Sequence, residues 1–302
     1  MNESIRVAVV GYGNIGRFAV DALMAAPDME VAGVVVKPSF SGDVKLLEAL
    51  DIPLVTSIRE LPGVQAALLC TPTRAVPDIA REILTLGINT VDCYDIHGNL
   101  ADLRLELDKI ARANNAVAVV SAGWDPGTDS IIRTMFQFMT PSGLSYTNFG
   151  PGMSMGHTVA VRALPGVEDA LSMTMPVGAG VHRRMVYVQL QEGTSFEEIE
   201  RAIKADPYFV KDETHVFQVA DVKQLIDMGH GVDMERKGAS GSTHNQMLCF
   251  SMRINNPALT AQVMMAAARA SLKQKPGAYT MIQIPVIDFM PGNPDDIIRQ
   301  FV

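Results

Sequence analysis

The sequence predicts an α/β protein: a doubly wound parallel sheet, followed by an α+β region. Three observations predict it. Strand-like and helix-like runs alternate as far as Val120, the first strand leads into a glycine fingerprint, and after Ser121 strands dominate with helices scattered among them. Val7-Ala8-Val9-Val10 is continuously apolar, as a strand buried on both faces must be. It passes into Gly11-Tyr12-Gly13-Asn14-Ile15-Gly16, then a helical pattern through Phe18, Val20 and Leu23. Gly11 permits the tight turn, Gly13 lets the backbone approach a pyrophosphate, and Gly16 lets the helix pack against the strand. The helix N-terminus offers unpaired N–H groups and a positive dipole end to phosphates. Residues Gly11, Tyr12, Gly13, Asn14, Ile15 and Gly16 are therefore candidate dinucleotide ligands on a Rossmann-type sheet.

The second strand, Glu30–Val36, ends where an NAD enzyme places an acid on the ribose 2′-OH, about 20 residues past the glycines. Lys37, Pro38 and Ser39 stand there instead. An ammonium and a hydroxyl attract a 2′-phosphate that a carboxylate would repel, so NADP is the expected cofactor. Lys37 as a merely solvated charge is the plainer alternative. Next come Ala66–Cys70, a helix through Leu86, Asn89–Cys93, a helix over Leu100–Ala113, and Val117–Val120. Ligand-facing loops belong at the carboxyl ends of such strands. Cys70, Thr71, Pro72 and Thr73 lie at one of them and are expected to face the cofactor. Capping by Thr before a Pro-containing turn explains the threonines as well.

Beyond Ser121, Gly127–Met139 reads as a helix. Strand-like runs follow at Thr158–Ala163, Leu171–Pro176, Arg184–Leu190 and Met247–Ile254, with helices at Phe196–Ala205 and Ala258–Leu272. Residues 1–122 are expected to form the dinucleotide-binding domain and 123–302 a second domain with a mostly antiparallel sheet. Its C-terminal segment is free to pack back on the first.

The chain has 302 residues, 48% hydrophobic, with a net charge of −8, enough for two cores and too acidic for nucleic acid or an anionic membrane surface. Its three cysteines lack C-x-x-C spacing, and Cys70 and Cys93 read as small buried hydrophobes. No apolar run approaches a membrane span and no signal peptide precedes the first strand, so a cytoplasmic protein is expected. The six histidines lack the i, i+4 spacing of a helical zinc site, and no metal is expected.

Tyr94-Asp95-Ile96-His97 and Gly123-Trp124-Asp125-Pro126-Gly127 each follow a strand of the first domain. Asp95 and Asp125 there clamp a substrate ammonium or supply a base beside a nicotinamide; equally, each caps a following turn or helix. In the second domain, Asn148–His157 is glycine-dense, with Phe149, Met155 and Gly156 in a loop whose backbone N–H groups suit a carboxylate. Arg184 is in phase with Val186 and Val188 and so points inward, while Arg183 points out. A guanidinium holds a carboxylate by two parallel hydrogen bonds, or forms an ion pair within the protein.

Taken together, these segments resemble the meso-diaminopimelate dehydrogenases over essentially the whole chain. The resemblance rests on residues 9–17, 94–97, 123–127, 147–157, 181–188, 226–232 and 254–260, of which 147–157 and 254–260 are the most particular. It implies NADP-dependent oxidation of the D-centre of meso-2,6-diaminopimelate to L-2-amino-6-oxopimelate and ammonia, reversible as reductive amination, in the lysine and cell-wall precursor pathway. It implies that Asp95 and Asp125 receive the reacting ammonium, that Trp124 lines the site, and that the loop at Met155 and Gly156 holds the nearby carboxylate. Thr174, Arg184, His230 and Asn256 would bind the distal L-centre, and the protein would be a homodimer. The chain departs from the family pattern in having one basic residue after the second strand. It is also compact and carries Met155 where some members have glutamine, both resembling a subgroup that accepts simpler D-amino acids. A broad D-amino-acid dehydrogenase is thus one alternative. A non-catalytic NADP-binding sensor is another, disfavoured by the paired aspartates.

Overall fold

The computed structural model describes residues 4–226 and 229–302. Asp227 and Met228, inside the 226–232 motif, lie outside the described residues. The chain forms two compact units, Met1–Ile131 with Pro257–Val302, and Ile132–Asn256.

The first unit opens with β1 (Ile5–Val10), α1 (Asn14–Ala25), β2 (Met29–Val35), α2 (Lys45–Ala49) and β3 (Leu54–Val55). It continues through β4 (Ala66–Leu69), α3 (Val76–Leu84), β5 (Asn89–Asp92), α4 (Leu100–Ala113) and β6 (Val117–Val119), and passes into α5 (Thr128–Met139). Strands β4, β5 and β6 are buried along their whole length; β4 and β6 are apolar throughout, whereas β5 buries Asn89, Thr90 and Asp92 around Val91.

The second unit holds β7 (Ser142–Phe149), β8 (Gly152–Met153), α6 (Met155–Arg162), β9 (Val167–Gly178) and β10 (Val181–Leu190). It is completed by α7 (Phe196–Ala205), β11 (Glu213–Gln218), β12 (Gly229–Ser240) and β13 (Thr243–Asn255). These strands make two sheets, not one. The four-stranded sheet runs β11–β10–β9–β8 and the three-stranded sheet β13–β12–β7. Only the β10–β11 pair is parallel. One expected strand is a helix: Thr158–Ala163 falls largely within α6. Its β-branched residues mimic a strand, but Thr158 and Val161 point into the core against β9 at helical spacing.

The chain then returns to the first unit with α8 (Asn256–Ser271), β14 (Gly277–Tyr279) and α9 (Pro294–Phe301). β14 pairs in parallel with β6, giving a seven-stranded sheet of order β14–β6–β5–β4–β1–β2–β3. One core lies between the sheet, α1 and α8, and includes Val9, Leu23, Leu68, Val91 and Met264. A second, under α3 and α4, includes Leu69, Leu84, Leu103 and Leu107. The division between units lies in α5, beyond the expected 122/123 boundary. Ala122 donates to the Asp92 carbonyl at 2.6 Å, and Ile131 packs on the first core, so residues 123–131 stay with the parallel sheet.

A charge pair ties the returning segment in. Arg269 of α8, 5% exposed, gives Nε and Nη2 to the two Asp28 oxygens at 2.6 and 2.7 Å, and Nη1 to the Phe289 carbonyl at 2.9 Å. The Arg269 hydrogen bonds hold the Asp28 carboxyl below its usual range. Breaking a fully buried pair costs roughly 3–5 kcal/mol, but the Asp28 side chain is a third exposed. Asp28→Asn should therefore cost about 2–3 kcal/mol at pH 7. The difference from the parent should shrink as pH falls through the carboxylate range, because the unfolded parent binds the proton more readily than the folded one. Denaturant melts at both ends of that range check this; a variant as stable as its parent at pH 7 contradicts it.

Candidate active site

At the carboxyl edge of the parallel sheet, the fingerprint glycines are set by sterics. Gly11 has φ +95°, and a Cβ on it would lie 2.5 Å from the Cys70 carbonyl oxygen. A Cβ on Gly16 would lie 2.1 Å from the Gly11 oxygen, whereas one on Gly13 would meet open space. Gly13 also precedes α1 without a side-chain cap, so the first-turn N–H groups at Asn14, Ile15 and Gly16 face outward from a helix N-terminus. Thr71 Oγ1, just past β4, is buried without a protein hydrogen-bond partner among the described residues. A close-approach turn, an open Gly13 and an orphaned hydroxyl fit a dinucleotide.

Lys37, Pro38 and Ser39 are exposed in the turn beyond β2, closed by Phe40 N–H donating to the Lys37 carbonyl at 2.9 Å. The Phe40 ring meets the edge of the Tyr12 ring, and the Arg17 guanidinium lies 5.7 Å from the Tyr12 ring centre. Arg17 is thus a second cation in this neighbourhood. It directly follows the fingerprint, yet its place beside the 37–40 turn comes only from the Tyr12–Phe40 contact.

The two aspartate loops share an anchor that sequence reasoning missed. Asp92, fully buried at the end of β5, accepts through Oδ1 from Tyr94 N–H at 3.0 Å and Ser121 N–H at 2.9 Å. Ser121, at φ +58°, returns its hydroxyl to the Tyr94 carbonyl at 2.7 Å. One carboxylate oxygen therefore fastens the loops after β5 and β6. Asp95 follows directly, with its N–H on Thr73 Oγ1 at 3.2 Å; Thr73 thus bonds to that loop, and Pro72, not a threonine, precedes the turn at Thr73–Ala75. The Gly123–Gly127 loop closes on itself through Gly123 N–H to the Pro126 carbonyl at 3.2 Å. A Cβ on Gly127 would lie 1.9 Å from the Gly123 oxygen. Trp124 is 5% exposed and Asp125 half-buried at its tip.

The second unit assembles the other expected residues. Residues 148–157 are not a free loop. They form the end of β7, strand β8 and the first turn of α6, and Gly150 and Ser154 already donate to Gly231 and Ser172 carbonyls at 2.8 Å. Met155 and Gly156 open α6, where first-turn N–H groups have no intrahelical acceptor. His157 follows, bonded to Ser154 Oγ at 2.7 Å and the Tyr208 carbonyl at 2.9 Å, with the Tyr208 and Phe209 rings packed on it. Burial, reinforced by the Arg184 charge, pushes His157 down to about 3. His182 accepts the Phe149 N–H through Nε2 at 2.8 Å, and burial lowers its pKa too. Arg133 lies 5.5 Å from the centre of the Phe149 ring.

Arg184 shares its side of β10 with the fully buried Val186 and Val188, while Arg183 pairs with exposed Glu213 at 3.0 Å. Arg184 Nε donates to Asp212 at 2.7 Å, and Nη1 donates to Thr174 Oγ1, itself 1% exposed. Thr174 and Arg184 are register partners across β9 and β10. His230 and Asn256 are buried, at the start of β12 and of α8. Asp212 was not anticipated, because 28 residues and a helix separate it from Arg184. Among the described residues no cluster of three or more His, Cys, Asp or Glu could hold a metal.

Comparison with known proteins places this arrangement. Residues 5–93 match the oxidoreductase family with an NAD-binding Rossmann fold, and residues 123–182 match the diaminopimelic acid dehydrogenase C-terminal domain. The meso-diaminopimelate D-dehydrogenase of Bacteroides fragilis is 58% identical over 300 residues, covering 99% of this chain and 100% of that protein. The chain belongs to the meso-diaminopimelate dehydrogenase family. Among solved members, the C. glutamicum diaminopimelate dehydrogenase in complex with diaminopimelate is 29% identical with a TM-score of 0.89, covering 99% of both chains. An engineered D-amino acid dehydrogenase bound to NADP+ is 28% identical with a TM-score of 0.88, covering 99% of this chain and 100% of that one. The Rossmann-type sheet and the antiparallel second region are those of the family.

Burial pushes the Asp92 carboxyl up to about 6, against the pull of its two N–H donors. The folded value lies above the unfolded one of about 3.9, so the stabilisation tied to its proton is present at low pH and lost as pH rises through about 6. That difference corresponds to about 3 kcal/mol. Asp92→Asn keeps an acceptor for both N–H groups and removes the titration. Its stability relative to the parent should therefore improve by about 2–3 kcal/mol between pH 4 and pH 7. Calorimetric melts across that range read the difference, and a gap independent of pH would contradict the assignment.

Proposed function

We propose that this chain is an NADP-dependent meso-diaminopimelate D-dehydrogenase, oxidising the D-centre to L-2-amino-6-oxopimelate and ammonia and running in reverse as a reductive aminase. The observation that carries the reading is the full-length 58% identity to the Bacteroides fragilis enzyme. The dinucleotide rests on the Gly11–Gly16 turn, with Cys70, Thr71, Pro72 and Thr73 along its edge. Lys37 and Ser39 take the 2′-phosphate. Bound NADP supplies the hydride acceptor, its nicotinamide C4.

Asp95 and Asp125 receive the reacting ammonium. Two carboxylates on loops tied to one buried anchor hold the amine in a fixed pose and take up its proton, so that hydride leaves a neutral amine. After water adds to the resulting imine, the same carboxylates return protons to the departing ammonia. Trp124 and Phe149 line the site, and the N–H groups of Met155 and Gly156 hold the nearby carboxylate. Thr174, Arg184, His230 and Asn256 take the distal L-centre. His157 and His182, both held neutral, position Met155–Gly156 and Phe149 without adding charge. This activity belongs with the cytoplasmic NADP pool, and among the described residues no helix is long and apolar enough to cross a membrane.

Asp95→Asn and Asp125→Asn test the chemistry. Each should lower kcat/KM for oxidative deamination by about 10²–10⁴-fold with NADPH affinity unchanged. If the aspartates were helix caps, melting would drop by about 1 kcal/mol with turnover per folded molecule preserved, and the catalytic assignment would fall.

The protein acts as a homodimer. The register of β7, β12 and β13 puts Leu144, Lys237 and Met247 in one row and Tyr146, Glu235 and Cys249 in the next, all on one exposed sheet face. Leu144 and Met247 are 67% and 56% exposed, apolar surface that a second copy would cover. A Leu144→Asp, Met247→Asp double variant should sediment as a folded monomer; an unchanged dimer would place the interface elsewhere.

A further inference from the structure

The distal end of meso-diaminopimelate is an L-amino acid: a carboxylate and an ammonium on one carbon. Arg184 answers the carboxylate. Nothing in the expected set carries the negative charge that answers the ammonium. Asn256, Thr174 and the His230 imidazole bring no negative charge.

Asp212 carries that charge. One carboxylate oxygen accepts from Arg184 Nε at 2.7 Å, and its other oxygen has no protein hydrogen-bond partner among the described residues. The side chain keeps 22% of its surface accessible, against 13% for Arg184, so that oxygen is reachable. Its backbone is fixed: the Asp212 N–H donates to the Phe209 carbonyl at 3.0 Å, and the Asp212 carbonyl accepts from Thr214 Oγ1 at 3.1 Å. Arg184 has five N–H groups, of which Nε is used by Asp212 and one on Nη1 by Thr174. The remaining three, one on Nη1 and two on Nη2, are left for a carboxylate. Guanidinium and carboxylate thus stand side by side, each with unused capacity.

Resting on the proposed activity, we propose that Asp212 is a specificity-determining residue that binds the distal ammonium, so that the Arg184–Asp212 pair meets the zwitterionic L-centre charge for charge. A neutral pair matched to a neutral zwitterion avoids leaving a net charge in a half-buried pocket. Carboxylate to Arg184, ammonium to Asp212 and the carbon chain to the reacting end give the contacts needed to read handedness. His157 and His182, held neutral by burial and the Arg184 charge, do not compete as cations.

The test compares meso-diaminopimelate with D-2-aminopimelate, which keeps the chain and distal carboxylate and lacks only the distal amine. Each is assayed with NADP on the parent and on Asp212→Asn. D-2-aminopimelate is read as a substrate or, if not turned over, as a competitive inhibitor. The proposal predicts that KM for meso-diaminopimelate rises roughly ten- to hundredfold, with kcat within about threefold, as for loss of one charged hydrogen bond. The constant for D-2-aminopimelate should stay level or fall. Melting temperature and NADPH affinity certify the fold, and Asp212→Ser carries the same comparison if the Asn form does not fold. Equal weakening of both ligands would make Asp212 a support for Arg184 alone, and no change in either would remove it from the site; both overturn the proposal. A parent that fails to oxidise meso-diaminopimelate would instead overturn the activity on which it rests.

Discussion

The buried Asp92 carboxylate is the constraint on which the rest of the first half-site depends. Two parallel strands end side by side, and each must turn away without leaving its first N–H groups unsatisfied beneath the surface. Oδ1 of Asp92 satisfies one from each turn, at Tyr94 and Ser121, and its own carbonyl takes a third from Ala122. The loops bearing Asp95 and Asp125 are thereby built on one atom and its neighbours. Shared anchoring holds the two loops to one point without a further element. Its cost is a buried acid whose pKa is pushed up to about 6.

The second unit solves a different electrostatic problem. It gathers His157, His182 and Arg184 in one region, where three cations would repel both each other and a substrate amine. Burial removes the histidine charges, leaving them as hydrogen-bonding struts for α6 and β7. Asp212 then balances the Arg184 guanidinium.

Much of this was legible in the sequence, and the reasons differ by element. The fingerprint was readable because sterics leave no substitute for glycine at Gly11 and Gly16. Strands β4 and β6 were readable because burial on both faces demands unbroken apolar runs. The phase of Arg184 followed from strand alternation. Thr158–Ala163 misled because β-branched residues fit a strand, while tertiary packing on β9 made them helical. β12 and most of β7 escaped notice because their exposed face admits charged and hydroxyl residues, so neither shows an apolar run. Asp92 and Asp212 were invisible for a common reason. Each matters through a partner brought close by the fold, Ser121 from the next strand in one case and Arg184 from across a helix in the other.

The account turns on which carbon gives up its hydride. meso-Diaminopimelate carrying deuterium at only one of its two α-carbons, incubated with NADP and the protein, answers this by mass spectrometry of the nicotinamide product. The account predicts deuterated NADPH from the D-centre label, matched by released ammonia, and unlabelled NADPH from the L-centre label. Deuterium arriving from the L-centre, or no NADPH from meso-diaminopimelate while simple D-amino acids are oxidised, would contradict it.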